Sequence, residues 1–400
     1  MPRSKLLSEL KIRVKRMGVT KLVLRFGLEE YRTGVLRAAR LTKGIQNKVV
    51  FSCFNARTYG DNLKPISEKL HELSPDTEIV WMFRDPKGKK KIVPEYVRCV
   101  DPISVKGLCE YGTARVWVDN FTLARYLKRK MGKQFYLNPW HGDRPFKKVA
   151  YDMFPERRLR IEETCDTMMA GSEFGEKMVR SAFRYKGDIL NVGCPRNDCL
   201  VNFDIKRAEA IKTKLGIDRD TMLLLYAPTF RDSTRMTAFE STIDFEKTLD
   251  LLEKKYNKKW ACLYRAHQLQ KGGLSLSENK RMLDMTSYED MADLLLISDG
   301  ILTDYSSSAT DFCIKDGLVL LYQDDIEEYT SIDRELYYPM ESTPFYIAHD
   351  MTELEKIING LTDEGIKENC EKIRRFYGFR ETGDSARAAA ERIVKWLTSR

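Results

Sequence analysis

The chain has 400 residues, of which 42% are hydrophobic and 32% are charged, and its formal net charge is +9. This length exceeds what one simple hydrophobic core holds, so we expect two domains. The apolar runs are too short for a transmembrane helix, the start lacks a secretory signal core, and the nine cysteines form no C-x-x-C pair. These features argue against a membrane-spanning chain, a disulfide framework and a zinc site, and predict reduced thiols in a cytoplasmic protein.

The positive charge is concentrated at the start of the chain. Residues 1–50 contain 13 Lys and Arg against three acids, whereas the other residues carry 55 basic and 56 acidic side chains. Apolar residues recur there at helical spacing, at Leu6, Leu10, Val14 and Met17. Such a basic amphipathic helix suits an anionic membrane surface, where each cation contributes about 1 kcal/mol; the alternative is a surface helix that packs on its own domain. Nucleic acid binding is not expected, because no aromatic-interleaved basic motif is present.

Short apolar runs alternate with amphipathic stretches from residue 48 onward. Strands are predicted over 48–54, 78–83, 114–120, 134–139 and 166–172, and then over 222–230, 260–267, 280–285, 300–304 and 318–324. Helices are predicted over 62–73, 173–183, 287–298 and 385–399. Two such series predict an α/β protein with two doubly wound domains. We expect a basic segment over 1–45, domains over 46–195 and 196–378, and a C-terminal helix within 379–400 that crosses back to the first domain.

Polar residues follow the predicted strands at their carboxyl ends, which is where open parallel sheets bind ligands. They are His141, Ser172, Thr229, Arg231, Asp232, Arg265, His267, Thr303, Asp304, Ser306 and Ser307. The fact that so many polar residues fall at strand ends is stronger evidence for a site than any one of these residues alone. It predicts a ligand site formed by strand ends.

The segment ILTDYSSSATDF, residues 301–312, gives the sharpest pattern. An apolar strand changes to consecutive hydroxyls and then to a predicted helix from about Ser307. Unpaired N–H groups at a helix N-terminus, together with serine hydroxyls, favour an anion such as a diphosphate. The alternative is that one serine merely caps the helix. The sequence contains neither a Walker loop nor G-x-G-x-x-G, so a nucleotide would be held in another way.

Two of the four histidines, His141 and His267, follow strands of different predicted domains. A histidine with a pKa of about 6.5 can accept a hydroxyl proton near neutral pH or donate a hydrogen bond to a phosphate oxygen. The alternative is a structural role, which is more common for a lone histidine after a strand. Two histidines in equivalent places shift the interpretation toward function.

The residues that follow His141 fit an anionic ligand. Gly142 would allow backbone and ligand to approach closely. Asp143 would orient the His141 ring or cap a turn. The cations Arg144, Lys147 and Lys148 would attract an anionic partner.

Six ordered motifs over most of residues 48–375 resemble those of the CDP-glycerol glycerophosphotransferases of Gram-positive wall teichoic acid synthesis. VVFSCFNARTYGDNLKPISEKL resembles F-x-S-F…Y-x-D-N-P, NPWHGDRPFKKVAYD resembles W-H-G-T-P-L-K-K, and NVGCPRNDCL resembles G-x-P-R-N-D. YAPTFRDS resembles Y-A-P-T-W-R-D, YRAHQ resembles R-P-H-P, and SYEDMADLLLISDGILTDYSSSATDF resembles Y-x-D-I…S-D-x-L-I-T-D-Y-S-S…D-F.

The resemblance implies a GT-B-like architecture, in which two Rossmann-like domains face a central cleft, with no cofactor and no tightly bound metal. It implies that His141 is the base that activates the acceptor hydroxyl. His267 and Arg265, with Ser306 and Ser307, would hold the diphosphate of CDP-glycerol. The other candidate substrate-binding residues are Gly142, Asp143, Lys147, Ser172, Arg196, Asn197, Thr229, Arg231, Asp232, Thr303 and Asp304. Among them, Asn197, Asp232 and Asp304 would equally serve as turn or cap residues.

The expected activity is transfer of glycerol phosphate to a hydroxyl of a polyprenyl diphosphate-linked glycan, with release of CMP, at the cytoplasmic face of a bacterial membrane. Three departures from the family pattern leave CDP-ribitol and other surface glycans open: Asp143–Pro145 replaces Thr-Pro, YRAHQ lacks both prolines, and Ser308–Thr310 replaces a more apolar segment. The alternatives are a GT-B glycosyltransferase that uses a nucleotide sugar and a non-catalytic membrane-surface binding protein of the same fold.

Overall fold

The computed structural model describes residues 19–121, 130–156, 164–229, 242–266 and 280–399. Within these ranges the strands form two separate parallel sheets. The predicted amphipathic helix of the first 18 residues lies outside the described residues. No helix of the described part of the chain is long and apolar enough to cross a membrane.

The first sheet contains seven strands in the described residues: β1 Gln46–Ser52, β2 Glu78–Met82, β3 Val97–Val100, β4 Ala114–Asp119, β5 Phe135–Asn138, β6 Thr167–Ala170 and β7 Asp188–Asn191. Their spatial order is β3-β2-β1-β4-β5-β6-β7, and every neighbouring pair is parallel. The order reverses between β1 and β4. A sheet of this kind binds ligands beyond the carboxyl ends of the strands at that reversal.

The second sheet repeats the same topology with β8 Met222–Tyr226, β9 Trp260–Tyr264, β10 Met282–Asp284, β11 Gly300–Thr303, β12 Leu318–Tyr322 and β13 Tyr346–Ala348. The order is β10-β9-β8-β11-β12-β13, again with parallel pairs. Its reversal lies between β8 and β11. All five residues of β12, LVLLY, are buried, as expected for a strand covered on both faces.

The helices of the described residues are α1 Val19–Lys43, α2 Leu63–Leu73, α3 Pro86–Lys89, α4 Val105–Thr113, α5 Ala150–Met153, α6 Glu173–Ala182, α7 Asp198–Val201, α8 Ile205–Lys214, α9 Phe245–Tyr256, α10 Met291–Ile297, α11 Ser308–Phe312, α12 Ile326–Glu328, α13 Met351–Gly360, α14 Asp363–Tyr377 and α15 Ser385–Thr398. Several of them begin at a Ser, Thr or Asp whose side chain accepts a hydrogen bond from a backbone N–H of the first turn, as at α4, α6, α9 and α14. Such caps define where these helices start.

Helices cover both faces of each sheet, so each sheet has core clusters on both of its faces. Alternate residues of β1 show the division, since Val49 and Phe51 pack toward α2 whereas Val50 packs toward α1 and α4. In the second sheet, Leu223 and Leu225 pack toward α10 and α14, and Leu224 packs toward α9 and α13. The layered α/β arrangement that the sequence predicted is confirmed.

Two segments tie the two sheets together. Phe146, from the loop after β5, is fully buried in the core of the second sheet, and its carbonyl accepts a hydrogen bond from Tyr337 N at 2.8 Å. In the opposite direction, α15 places Ala389, Ala390 and Ile393 in the core of the first sheet beside α2. Each sheet therefore has a core that contains residues from the other half of the chain.

Candidate active site

A cavity of about 350 Å³ lies between the two sheets. The first half of the chain lines it with the loop after β1 and with His141, which follows β5. The second half lines it with Arg265 after β9, with the serines after β11 and with the start of α10. Because both walls lie beyond strand carboxyl ends near a topological reversal, this cavity is the candidate active site.

The ring of His141 is held in one tautomer. Its Nδ1 lies 2.7 Å from the backbone carbonyl oxygen of Asn120, which directly follows β4. A carbonyl oxygen can only accept, so Nδ1 carries the proton and Nε2 is left as the basic nitrogen.

Aromatic rings surround the partly buried side chain of His141. The ring centroids of Trp140, Phe54 and Phe121 lie 4.1, 5.3 and 5.6 Å from that of His141. This burial lowers the pKa of His141 to about 4, and the charges of Arg196 and Lys147 act in the same direction. His141 is therefore neutral at pH 7, which is the state that a general base requires.

The expected contact between Asp143 and the His141 ring is wrong. The Asp143 carboxylate instead accepts hydrogen bonds from Gly171 N at 2.8 Å and from Ser172 Oγ at 2.6 Å. Ser172 in turn accepts from Gly175 N at 2.8 Å and caps α6. Asp143 and Ser172 are both buried and lie outside the cavity lining, so they position the loop rather than face the cavity.

The expectation that Arg144 and Lys148 attract an anionic ligand is also wrong, because carboxylates of the protein already neutralise them. Arg144 is fully buried and donates to Asp311 at 2.9 Å and to Glu381 at 2.7 Å. Lys148 pairs with Glu335 at 2.7 Å.

Two further predicted residues lie beside these. Asn197 donates to both Asp311 and Glu381 at 3.0 Å. Lys147 forms a backbone bridge with Leu336, and its charge contributes to the lowered pKa of His141. Neither residue is part of the cavity lining.

Arg265 brings a partly buried positive charge to the cavity. In the described part of the chain its Nη1 atom is buried and has no hydrogen-bond partner. Burial lowers the pKa of the guanidinium, against the opposing effect of Asp290 and Glu289, but a guanidinium remains protonated at pH 7. A cation with such a buried, unbonded donor is stabilised by an anionic ligand.

The serines after β11 lie across the cavity from His141. Helix α11 begins at Ser308, and Ser307 occupies the N-cap position without a side-chain capping hydrogen bond. Ser306 Oγ accepts from Ser308 N at 3.3 Å and from Ser308 Oγ at 2.9 Å. The capping interpretation is therefore wrong for Ser307, and Ser306 makes the contact that resembles a cap.

Gly142 brings the two walls together. A Cβ atom placed on Gly142 would lie 4.0 Å from Ser307 Oγ and 3.9 Å from Trp140 Nε1. The left-handed residue of this turn is Trp140, with φ 48°, and not the glycine. The loop after β5 and the loop after β11 thus meet at the cavity.

Three of the predicted residues join the ends of β8 and β11. The Asp304 carboxylate accepts from Thr229 N at 2.9 and 3.0 Å, and Thr303 Oγ1 donates to the carbonyl of Ala227 at 2.6 Å. All three predicted residues are buried and lie outside the cavity lining. Arg231, Asp232 and His267 lie outside the described residues.

Of the predicted residues, the structure thus brings His141, Arg196, Arg265, Ser306 and Ser307 together in the cavity lining. Arg196 holds its place by pairing with Asp311 at 2.8 Å and donating to the carbonyl of His141 at 3.1 Å. The described residues contain no group of three or more His, Cys, Asp or Glu side chains that could hold a metal ion.

The strand-end interpretation missed the loop after β1, which supplies Phe54, Arg57 and Asp61 to the cavity. Asn62 anchors this loop: its Nδ2 donates to the carbonyls of Trp140 at 2.8 Å and Pro139 at 3.1 Å, and its Oδ1 accepts from Arg196 N at 3.1 Å. The Asp-Asn pair within the first family motif was the signal that could have identified these residues.

Two sheets of Rossmann order that face one cavity, with a neutral histidine on one wall and an arginine on the other, define a GT-B-like transferase. The family of CDP-glycerol:poly(glycerophosphate) glycerophosphotransferases matches residues 36–399, and the chain belongs to this family. The resemblance found in the sequence motifs is confirmed.

Curated relatives agree with this assignment. The chain is 28% identical to the teichoic acid poly(glycerol phosphate) polymerase of Bacillus spizizenii over 381 residues, which are 90% of this chain and 95% of the relative. It is 28% identical to the teichoic acid glycerol-phosphate transferase of Staphylococcus aureus over 351 residues, or 83% and 88% of the two chains. It is 29% identical over 333 residues, 77% of this chain, to the poly(glycerol phosphate) polymerase of Staphylococcus epidermidis, of which the match spans only 46%.

Solved structures agree with the fold. The wall teichoic acid polymerase TagF superposes with a TM-score of 0.79 at 29% identity, covering 96% of this chain and 97% of the TagF chain. A histidine variant of TagF soaked with CDPG gives a TM-score of 0.77 at 28% identity, with the same coverage. The predicted GT-B-like architecture is confirmed.

Proposed function

We propose that the protein transfers glycerol phosphate, or a related alditol phosphate, from its CDP-activated form to a hydroxyl of a lipid-linked glycan in teichoic acid or surface polymer synthesis. The observation that carries the proposal is one cavity with a neutral His141 on one wall and Arg265 with two serines on the other. The family description supports CDP-glycerol as the donor, and the names of the relatives support glycerol phosphate as the transferred unit.

The second sheet holds the donor in this proposal. The diphosphate of CDP-glycerol lies against Arg265, Ser306 and Ser307, whose donors neutralise its charge and steady the leaving CMP. His267, which the family resemblance assigns to the same diphosphate, is included on that resemblance alone. Because these groups supply the countercharge, the proposal includes no tightly bound metal.

The first sheet supplies the base. Nε2 of His141 takes the proton of the acceptor hydroxyl as its oxygen attacks the β-phosphorus of the donor. The bond between that phosphorus and the bridging oxygen breaks, and CMP leaves with the electron pair. Positioning and charge neutralisation provide most of the rate enhancement in phosphoryl transfer. The bound diphosphate also raises the pKa of His141 above its value in the free enzyme, which makes the ring a stronger base when the donor is present.

The proposed location is the cytoplasmic face of a bacterial membrane, where a polyprenyl diphosphate-linked acceptor is embedded. The basic charge of residues 1–50 supports it, as do the apolar side chains of α1 that stay exposed, including Val23, Leu24, Phe26 and Leu41. Deletion of residues 1–18 is expected to weaken binding to anionic liposomes. Equal binding by the truncated and full chains would refute this part of the proposal.

The function is tested with the purified full chain, a synthetic lipid-linked disaccharide and radiolabelled CDP-glycerol, CDP-ribitol or UDP-sugars. We expect label to pass to the acceptor from a CDP-alditol, and CMP to be released in equal amount. Transfer from a UDP-sugar alone would overturn the proposal in favour of a glycosyltransferase. Transfer from none of these donors would favour a non-catalytic binding protein.

A further inference from the structure

The carboxylate of Asp311 joins the two walls of the cavity. Asp311 lies on α11, one turn after Ser307, and it lines the cavity although it is only 4% exposed. Its Oδ1 accepts hydrogen bonds from Arg144 Nη2 at 2.9 Å and from Asn197 Nδ2 at 3.0 Å. Its Oδ2 accepts from Arg196 Nε at 2.9 Å and lies 2.8 Å from Arg196 Nη2. Both carboxylate oxygens are therefore bonded to side chains that are themselves buried.

The two arginines connect Asp311 to the loop that carries His141. Arg144 follows His141 by three residues in this loop. Arg196, from the turn Pro195–Asn197, donates with Nη1 to the backbone carbonyl of His141 at 3.1 Å. A carboxylate from the second half of the chain thus holds the candidate base of the first half through two guanidinium groups.

The connection depends on the negative charge of Asp311. Burial by itself raises the pKa of this carboxyl group, but Arg196 and Arg144 outweigh burial and lower the pKa, so the carboxylate is ionised at pH 7. Hydrogen bonds between ionised groups are shorter and stronger than those between neutral groups. Because Oδ1 and Oδ2 both accept, an amide in this place would have to turn an N–H toward another N–H. The arrangement requires a carboxylate.

The serines of the proposed diphosphate site are held by a different set of contacts. The carbonyl of Ser307 accepts from Thr310 N at 3.1 Å and from Thr310 Oγ1 at 2.7 Å. Ser306 Oγ accepts from Ser308 N at 3.3 Å. All of these contacts lie within one turn of chain and use no side-chain atom of Asp311. Loss of its charge should therefore displace the loop of the base and leave the serines in place.

We propose that Asp311 is a positioning residue of the transfer reaction, which through its two arginine partners sets the place of His141 relative to the serines. This role rests on the proposed function, because that function makes His141 the base. The base must lie within hydrogen-bond reach of the acceptor hydroxyl while that hydroxyl faces the phosphorus of the CDP-alditol. A misplacement of about 1 Å costs about a hundredfold in rate. A fixed link across the cavity prevents such a misplacement.

Asp311→Asn tests the proposal because it removes the charge with little change in size. With the lipid-linked acceptor, kcat should fall about ten- to a hundredfold, whereas the Kd of CDP-glycerol, measured by calorimetry, should change less than about twofold. Asp311→Glu keeps the charge and both acceptor oxygens, so it should fold even if Asp311→Asn does not. Its extra methylene shifts the arginines and should lower kcat to a smaller extent. A raised Kd with an unchanged kcat would assign Asp311 to the CDP-glycerol site and overturn the proposal.

Glu110→Gln is the matched control. Glu110 is also a buried carboxylate with two basic partners, Lys48 at 2.5 Å and Arg98 at 2.7 Å, but it lies on α4 outside the cavity lining. Its replacement should destabilise the fold without changing kcat or the Kd of CDP-glycerol. An equal loss of kcat in Glu110→Gln would show that Asp311 acts through stability alone, against the proposal.

A spectroscopic measurement tests the positioning role without turnover. In the ¹H–¹⁵N spectrum of the full chain labelled at its four histidines, the Nδ1–H signal of His141, which faces the Asn120 carbonyl, is assigned by its absence from His141→Ala. We expect this signal to shift or broaden in both Asp311 variants and to stay unchanged in Glu110→Gln. An unchanged signal in the Asp311 variants would refute the role of Asp311 even if CDP-glycerol is turned over. A changed signal supports it even if transfer from CDP-glycerol is not observed.

Discussion

The Nδ1 atom of His141 lies 2.7 Å from the carbonyl oxygen of Asn120, and the side chain of Asn120 also accepts a hydrogen bond from Phe54 N and donates one to Asp61 at 3.0 Å. Asn120, which directly follows β4, therefore fixes both the tautomer of the candidate base and the position of the loop after β1. The His141 ring and the first-sheet wall of the cavity are held as a unit.

Replacement of His141 by alanine should lower kcat by about 10²- to 10⁴-fold, the contribution of a positioned general base. The KM for CDP-glycerol should change little, because the donor is held by the opposite wall. Steady-state kinetics with the lipid-linked acceptor measure both constants. His71→Ala is the control, since His71 stacks on Tyr96 outside the cavity lining; an equal loss in both variants would contradict a catalytic role for His141.

The pH dependence of the reaction should reveal the lowered pKa of His141. Because the pKa of His141 is lowered to about 4 from an ordinary 6.5, kcat/KM, which reports the free enzyme, should stay level as the pH falls through 6 and decline only near pH 4. The matching profile of kcat should decline at a higher pH, because the bound diphosphate stabilises the imidazolium. A decline of kcat/KM centred near 6.5 would show that the ring is solvated.

The lowered pKa of His141 also affects the stability of the folded protein. Between pH 6.5 and about 4 the unfolded chain binds a proton at His141 that the folded protein does not, so this residue makes the free energy of unfolding fall as the pH falls through that window. Urea titrations of the wild-type chain and His141→Ala over this range measure the difference. The difference in unfolding free energy between the two should change steadily across the window and level off above pH 7.

Ser307→Ala should impair donor binding without affecting folding. The Ser307 side chain makes no capping hydrogen bond, so its loss should leave the melting temperature unchanged, whereas the KM for CDP-glycerol should rise about tenfold through loss of a hydrogen bond to a charged oxygen. Ser306→Ala provides the comparison, because Ser306 Oγ also accepts from Ser308 N and Oγ. Its loss should lower both the melting temperature and donor affinity, and a lowered melting temperature in Ser307→Ala would support the capping role instead.

Arg144→Met should destabilise the protein by about 3–5 kcal/mol, because it leaves the buried carboxylates of Glu381 and Asp311 with less countercharge. Urea denaturation at pH 7 measures the change. The matched control is Arg380→Ala, which removes an exposed arginine 3.5 Å from Glu173 and should cost less than about 1 kcal/mol. Similar losses in the two variants would show that the buried network does not stabilise the fold.

The sequence predicted the interior strands because parallel strands covered on both faces appear as unbroken apolar runs, as in MLLLY of β8 and LVLLY of β12. It missed β3, β7 and β13. All three are edge strands. Two of the four residues of β3 and one of the three of β13 are buried, and none of β7 is. A short, half-covered strand has too few apolar residues to be distinguished from a loop.

The candidate site was predicted where a polar residue ends a recognisable strand, as for His141 and Arg265. Arg57 was missed because its place depends on a left-handed turn built from ordinary residues, and no glycine marks that turn in the sequence. Asp143 was assigned to the wrong partner, because adjacency in sequence does not give the direction of a side chain. After His141 the chain turns toward α6, and Asp143 binds the N-terminal region of that helix instead.

The exchange of Phe146 and α15 between the two cores has a consequence for attempts to divide the molecule. A fragment that ends near residue 195 would lack the helical cover supplied by Ala389 and Ile393, and the remaining fragment would have a hole where Phe146 belongs. Neither piece should be soluble when expressed by itself. The two pieces expressed together should reassemble, each completing the interior of the other.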